Sequence, residues 1–383
     1  MTTLPTSPTA QVWLRPADCR LEDLLTVVAE RTDPADYPYA SQVDHEVLVY
    51  DAARLRAASD PRDVQAELAR ALSDGPGIVV LSGAFAAPPV DAVTAAFEAM
   101  IADQRAAGGA AGDHFAKPGA NDRVWNALQK LALRDPAAFA AYYANDLLAL
   151  IATAWLGPAY QVTSQVNVVN PGGEGQTVHR DYHLGFQSDE VAASYPAHVH
   201  RLSPVLTLQG AVAHCDMPVQ SGPTLYLPHS HRYEPGYLAY RRPEFAAHFT
   251  EHHVQLPLAK GDAVFFNPAL FHAAGSNHSA DIRRMANLLQ ISSAFGRAME
   301  SVDRAAMCLA LYPELLAMDD PAAREHVIAA SAEGYAFPTD LDLDQPIGGL
   351  APPSQADVLR QAVADRWPAA RLETALADHA ARR

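Results

Sequence analysis

The chain has 383 residues, 49% of them hydrophobic and 19% charged, and a formal net charge of −16. That length and apolar content allow a sizeable core in one large domain or two ordinary ones, and exclude disorder along the whole chain. The acidic balance repels nucleic acid and anionic membranes, so neither is expected as a partner, and it disfavours a polyanionic substrate relative to a small metabolite. Cys19, Cys215 and Cys308 are far apart, odd in number and form no CxxC. This suits a reducing compartment and gives neither a disulfide framework nor a thiolate metal site. The opening run MTTLPTSPTAQVWLRPADCR has no basic segment followed by an apolar one, and no stretch reaches the length of a membrane-spanning helix. A cytoplasmic protein is expected.

In chain order, residues 21–31 read as a short helix and Glu46–Tyr50 as a strand. Residues 60–73 read as a helix opened by Asp60 and Pro61, a cap and first-turn pair. Asp74-Gly-Pro-Gly ends it, and Ile78–Leu81 follows as a buried strand. Residues 89–105 are helical by period, 106–124 read as a long loop, and 137–156 as one strong helix. From about Tyr160 the pattern changes to short β runs at 162–169, 177–181, 205–214, 224–227, 253–258, 263–266 and 284–292, separated by Gly- and Pro-containing turns. Strands at this spacing predict a jelly-roll or barrel. After about Ala298 the chain returns to helix, is broken over 338–353, and ends in a helix over 354–383. The predicted class is α+β. A β core over 76–297 lies between a helical N-terminal extension, 1–75, and a C-terminal helical extension, 298–383, the whole packed as one domain.

Twelve of the sixteen histidines lie between residues 179 and 278. On a strand, residues i and i+2 face the same way, so His179 and Asp181 present an imidazole and a carboxylate toward one point. A later histidine would complete a two-His, one-carboxylate set, which leaves coordination positions open and suits non-haem Fe(II) oxygenases. His272 is the best third ligand, because it follows the turn and apolar strand GDAVFFN at 261–267. Arg283 opens the next strand and would give a 2-oxo acid's far carboxylate a bidentate partner. Strand alternation lets only one of Arg283 and Arg284 point inward.

The pieces HRD at 179–181, SGPTLYLPHSHR at 221–232, KGDAVFFNPALFHAAGSN at 260–277 and the pair Arg283-Arg284 resemble the phytanoyl-CoA dioxygenase family, which includes ectoine hydroxylase. The resemblance runs from about Gly77 to Ala294. It implies a double-stranded β-helix and hydroxylation of an unactivated carbon of a small molecule with Fe(II), 2-oxoglutarate and O2, releasing succinate and CO2. It assigns the iron to His179, Asp181 and His272, and the 2-oxoglutarate carboxylate to Arg283. It adds Asn167 as a cosubstrate contact, and Thr163, which stands where ectoine hydroxylases carry an amide. Related halogenases lack the carboxylate ligand, so Asp181 favours hydroxylation or related ring chemistry. The sequence departs from the family at Ala274, where several relatives carry a hydroxyl, and it lacks the aromatic substrate segment of ectoine hydroxylases. Two other readings stay open: a metal-binding β-barrel without redox activity, and a zinc hydrolase on a cupin-like barrel.

Among the remaining candidates, His183 lies one strand repeat past Asp181. Lys117 and Trp125, with His114, Asn121 and Arg123, would line a substrate mouth. His198 with His200 and His229 with His231 lack a carboxylate at ligand spacing, and the latter pair reads as a structural turn. The primary substrate and the oligomeric state are not legible.

Overall fold

The structure, a computed structural model, describes residues 12–108 and 120–383. Its strands are β1 (Gln42–Asp44), β2 (Val47–Asp51), β3 (Ile78–Ser82), β4 (Asn121–Val124), β5 (Gln161–Val169), β6 (Thr207–Ala213), β7 (Leu225–Leu227), β8 (Ala263–Phe266), β9 (Phe271–Ala273) and β10 (Arg284–Ser292). Eight of them form one sheet in the order β1-β2-β3-β8-β6-β10-β5-β4, and β7 pairs with β9. The one parallel neighbour pair is β2 and β3; the others are antiparallel. Helices and a large, mostly antiparallel sheet thus make up the fold.

The two faces of the large sheet differ because strand side chains alternate. On one face Val162, Val166, Val168, Leu208, Val212 and Ile291 join a buried apolar cluster that runs from Tyr37 to Leu376. Helices from both chain ends, including Pro61–Ser73, Ala87–Ala106, Arg304–Ala317 and Gln355–Ala364, contribute their apolar stripes to that cluster. Each fully buried Leu or Phe in it contributes roughly 1.5–3 kcal/mol. The opposite face carries Gln165, Asn167, Gln209, Ala211, Ala286, Leu288 and Gln290, and it lines a cavity.

The described residues depart from the predicted elements in several places; the helices Ala197–Val205 and Pro243–His252, for example, were not foreseen. The helix expected over 137–156 is two, Pro136–Tyr143 and Asp146–Leu156. Asn145 makes the break, since its Oδ1 accepts from Leu148 N at 2.8 Å and its Nδ2 donates to Ala84 O at 2.8 Å. The helix expected over 354–383 is also two, Gln355–Ala364 and Ala369–Ala380, divided where Arg366 takes a positive φ just ahead of Pro368. The loop expected over 106–124 ends in β4, which pairs with β5, and the helix Ala127–Arg134 was not foreseen. The strands expected at 177–181 and 253–258 are extended segments held by isolated bridges, His179 to His272, Tyr226 to Val254 and Met217 to Leu258. No single helix among the described residues is long and apolar enough to cross a membrane.

Asn145→Ala removes both the helix cap and the tie to Ala84. The expected loss is about 1–2 kcal/mol of stability, read from the midpoint of urea denaturation at unchanged slope.

Candidate metal centre

The segment carrying HRD is fixed by backbone hydrogen bonds to the chain around β9. Gln176 N donates to Ala274 O at 2.9 Å, His179 N to His272 O at 2.9 Å, His272 N to His179 O at 3.1 Å, and Asp181 N to Pro268 O at 3.0 Å. Arg180 points away from the neighbours on either side of it and is buried. Its Nη2 donates to Ser230 O at 2.6 Å and Tyr233 O at 2.9 Å, and its guanidinium lies over the rings of Tyr237 and Phe271. Gly236 makes room for it, since a Cβ there would stand 1.9 Å from Arg180 Cζ. With Arg180 clamped on one side, His179 and Asp181 face the other.

There they meet His272. One ligand atom from each of His179, Asp181 and His272 lies within 4.8 Å of the others, the one such trio of His, Cys, Asp or Glu among the described residues. His179 Nε2 is 4.0 Å from Asp181 Oδ1, and His272 Nε2 is 3.5 Å from Asp181 Oδ2. Each imidazole donates its Nδ1–H to a backbone carbonyl, His179 to Thr177 O at 2.8 Å and His272 to Leu270 O at 2.9 Å. That bond fixes the tautomer and leaves both Nε2 lone pairs turned inward, as a metal requires. Gln209 Nε2 donates to Asp181 Oδ2 at 2.6 Å. Burial alone would raise the Asp181 pKa. Its close contacts with His272 and His179 and the hydrogen bond from Gln209 hold it down at about 2. Burial and the neighbouring His272 lower the His179 pKa, which favours the neutral, ligating form. Two imidazoles and one carboxylate converging in this way fit a ferrous ion.

The trio opens on a cavity of about 1040 Å³ between the large sheet and the β7–β9 pair. Arg284 lines it and Arg283 does not. This corrects the expectation for Arg283. Its guanidinium stands at the surface, 2.8 Å from Glu98 and 3.6 Å from Asp122, and hydrogen-bonds Asn170 at 3.3 Å. Arg284 is 6% exposed, and its hydrogen bond is to Gly275 O at 3.4 Å. Among the described residues no carboxylate pairs with it. Burial lowers its pKa to about 10, so it stays cationic at neutral pH. Asn167 lines the cavity, and its Oδ1 is buried without a partner. Thr163 does not line it, because its hydroxyl donates to Gln290 O at 2.9 Å.

His183 is also outside the cavity lining. The chain leaves extended geometry at Tyr182 and enters a 3-10 turn over His183–Phe186, where His183 has φ +42° and its Nδ1 faces Ser203 Oγ at 3.1 Å. The strand repeat that would have aimed it at the metal ends before it. His229 and His231 form the expected turn: His229 has φ +67°, and His231, whose Nε2 is 3.0 Å from Ser73 O, is driven by burial to a pKa of about 3. Lys117 and His114 lie outside the described residues.

Trp125 lines the cavity mouth with Phe186 and Met299, at 37%, 54% and 41% exposure. The segments beside Trp125 and Met299 are clasped together. Asn126 N donates to Glu300 Oε1 at 2.7 Å, Asn126 Nδ2 to Ser301 O at 3.2 Å, and Asp303 N to Gln129 Oε1 at 2.7 Å. Gln165, Gln209 and Gln290 escaped the sequence reading. Their signal was an amide set among apolar neighbours within a strand, clearest in TLQGAVA.

Gln209→Leu leaves Asp181 Oδ2 without its donor. Calorimetric titration with Mn(II) is expected to show affinity falling about tenfold to a hundredfold, with the fold retained.

No curated protein matches the sequence. Solved structures similar to it include the non-heme alpha ketoglutarate dependent carbocyclase SnoK from nogalamycin biosynthesis, at 22% identity over 59% of this chain and 83% of that one, with a TM-score of 0.41. AviO1 from Streptomyces viridochromogenes Tue57 is 17% identical over 63% of this chain and 99% of that one, with a TM-score of 0.43. The non-heme alpha ketoglutarate dependent epimerase SnoN from nogalamycin biosynthesis is 20% identical over 61% and 85%, with a TM-score of 0.38. The family model for phytanoyl-CoA dioxygenase (PhyH) matches residues 73–285, more than half of the chain. With that match and the His-Asp-His trio in place, the chain belongs to the phytanoyl-CoA dioxygenase family and is a non-haem iron enzyme that uses 2-oxoglutarate and O2.

Proposed function

We propose that this enzyme hydroxylates an unactivated carbon of a small molecule, with release of succinate and CO2. The observation that carries the reading is Arg284, a buried cation with no anionic partner among the described residues, in a cavity that also holds the metal trio. An unpaired buried charge is costly, so such a residue implies an anionic ligand. We take the large sheet and the β7–β9 pair, with the cavity between them, as a double-stranded β-helix. Residues 76–297 are then the catalytic core, and the helical extensions on either side pack against it. The free cysteines accord with a reducing, cytoplasmic setting.

His179, Asp181 and His272 would hold Fe(II), and iron bound there supplies O2 activation coupled to oxidative decarboxylation of 2-oxoglutarate. The chain's own residues position and enclose. Gln290 is the register partner of Gln209, which is bonded to Asp181. Arg284 lies six residues along β10 from Gln290, roughly 20 Å at a strand's rise. Its guanidinium reaches Gly275 O, three residues past His272. A dicarboxylate would bridge the two, one end at the metal ligands and the other gripped by the guanidinium through two parallel N–H···O bonds. Ile78, Val80, Val264 and Phe266 wall the same cavity. They exclude water and so strengthen the pairing. Asn167 contacts the same cosubstrate through its amide. Thr163, with its hydroxyl spent on Gln290 O, does not. Asp181 keeps the carboxylate that halogenating relatives lack, which favours hydroxylation.

Succinate formation from 2-oxoglutarate under air tests the reading. Arg284→Leu is expected to raise KM for 2-oxoglutarate by roughly thirtyfold or more, since truncating one partner of a buried charge pair costs about 2–5 kcal/mol. Arg283→Leu, at the surface, leaves it within about twofold. The reverse pattern would overturn the anchor. Absence of iron-dependent succinate in the unaltered enzyme would overturn the oxygenase reading, and activity with zinc in the absence of O2 would favour a hydrolase.

A further inference from the structure

A polar ladder crosses the inner face of the large sheet from the cavity mouth to the metal ligands. Arg123 on β4 donates from Nη1 to Gln165 Oε1 on β5 at 3.1 Å, and Gln165 Nε2 donates to Gln290 Oε1 on β10 at 3.3 Å. Gln290 stands directly opposite Gln209 on β6, and Gln209 Nε2 donates to Asp181 Oδ2.

The ends of the ladder dictate the direction of every amide in it. A guanidinium only donates, so Gln165 must offer Arg123 its oxygen, which leaves its nitrogen for Gln290. An ionised carboxylate only accepts, so Gln209 turns its nitrogen to Asp181. Two groups remain over. Gln290 Nε2 donates to no acceptor among the described residues, and Gln290 lines the cavity. Gln209 Oε1, on the opposite residue, is buried and likewise without a partner. A donor held in place, with nothing to donate to, therefore stands one strand from the residue that orients Asp181.

The surroundings narrow what it would meet. Asp181 is the one carboxylate among the described residues that lines the cavity, and Glu300, beside Gln165, is already balanced by Lys130 and Arg123, so a cationic ligand is offered no spare counter-ion there. Arg123 is engaged by Gln165 and lies 4.8 Å over the Trp125 ring, and Arg241 is 2.7 Å from Asp189, so an anionic ligand is not called for at the mouth either. The rim of Trp125, Phe186 and Met299 offers broad apolar surfaces on which a flat ring would rest.

We propose that Gln290 Nε2 is the recognition donor for the primary substrate, and that the substrate is an uncharged ring compound presenting a carbonyl or hydroxyl oxygen to it. A carbonyl satisfies the donor alone; a hydroxyl also satisfies Gln209 Oε1. Gln290 is a specificity-determining residue here, and the assignment rests on the oxygenase reading above, since it takes the cavity beside the trio as the substrate site.

The test uses the enzyme loaded with Fe(II) and 2-oxoglutarate under argon, titrated calorimetrically with 2-tetralone and 2-aminotetralin. These share a ring system but carry an oxygen acceptor or a cationic donor. The unaltered enzyme is expected to bind the ketone at least tenfold more tightly. In Gln290→Glu the carboxylate still accepts from Gln165 Nε2 but no longer donates, so the preference reverses to the amine. Gln290→Met, which does neither, serves as the second variant: the ketone's advantage falls to twofold or less. An unchanged preference in the variants overturns the proposal, as does failure of both probes to bind the unaltered enzyme at millimolar concentration. Admitting air and measuring succinate separates the two readings. Succinate without the reversal leaves the oxygenase standing and removes the ladder's role; the reversal without succinate does the opposite.

Discussion

The reciprocal pair of backbone hydrogen bonds between His179 and His272 is the constraint on which the site depends. It brings together two residues far apart in sequence and sets their rings side by side, with centroids 4.3 Å apart. Each ring then needs one more restraint, and each receives it from a carbonyl two residues before it in the chain, Thr177 O or Leu270 O. The imidazoles are thus oriented before any metal arrives, by groups that the backbone supplies. Arg180 performs the remaining task from the opposite side: by burying its guanidinium among carbonyls and rings, it denies the segment any rotation that would carry Asp181 away.

Much of this was legible in the sequence, and the reasons are local. The alternation of β5 and β10, the Asp60 cap, and the HxD spacing with a histidine after an apolar strand each depend on a few neighbouring residues. The trio they predicted is the trio the structure brings together. What escaped depended on longer-range facts. The choice between Arg283 and Arg284 turns on the phase of β10, which is set by its pairing with β5 and β6 and not by the arginines themselves. The direction of His183 depended on where extended geometry ends, and a turn at Tyr182 carries no strong sequence mark. The glutamine ladder needed four strands in register before it existed at all.

The two adjacent arginines show how the sheet distributes charge. Arg283 is neutralised where solvent can help, by Glu98 and Asp122. Arg284, one residue on and on the other face, has had its own counter-charge left out. An acidic side chain placed beside it would make the protein more self-sufficient and would close the cavity to an anionic guest. A buried cation without a carboxylate beside it among the described residues costs stability, a trade that binding sites commonly make.

The clasp between Asn126–Gln129 and Glu300–Asp303 has a further consequence. Trp125 directly follows β4 and Met299 follows β10, yet the clasp ties their spacing together. The width of the doorway is therefore decided away from the segments that carry His179, Asp181 and His272. A lineage that lengthened or trimmed either segment would admit a bulkier or slimmer guest while the coordination chemistry stayed as it was.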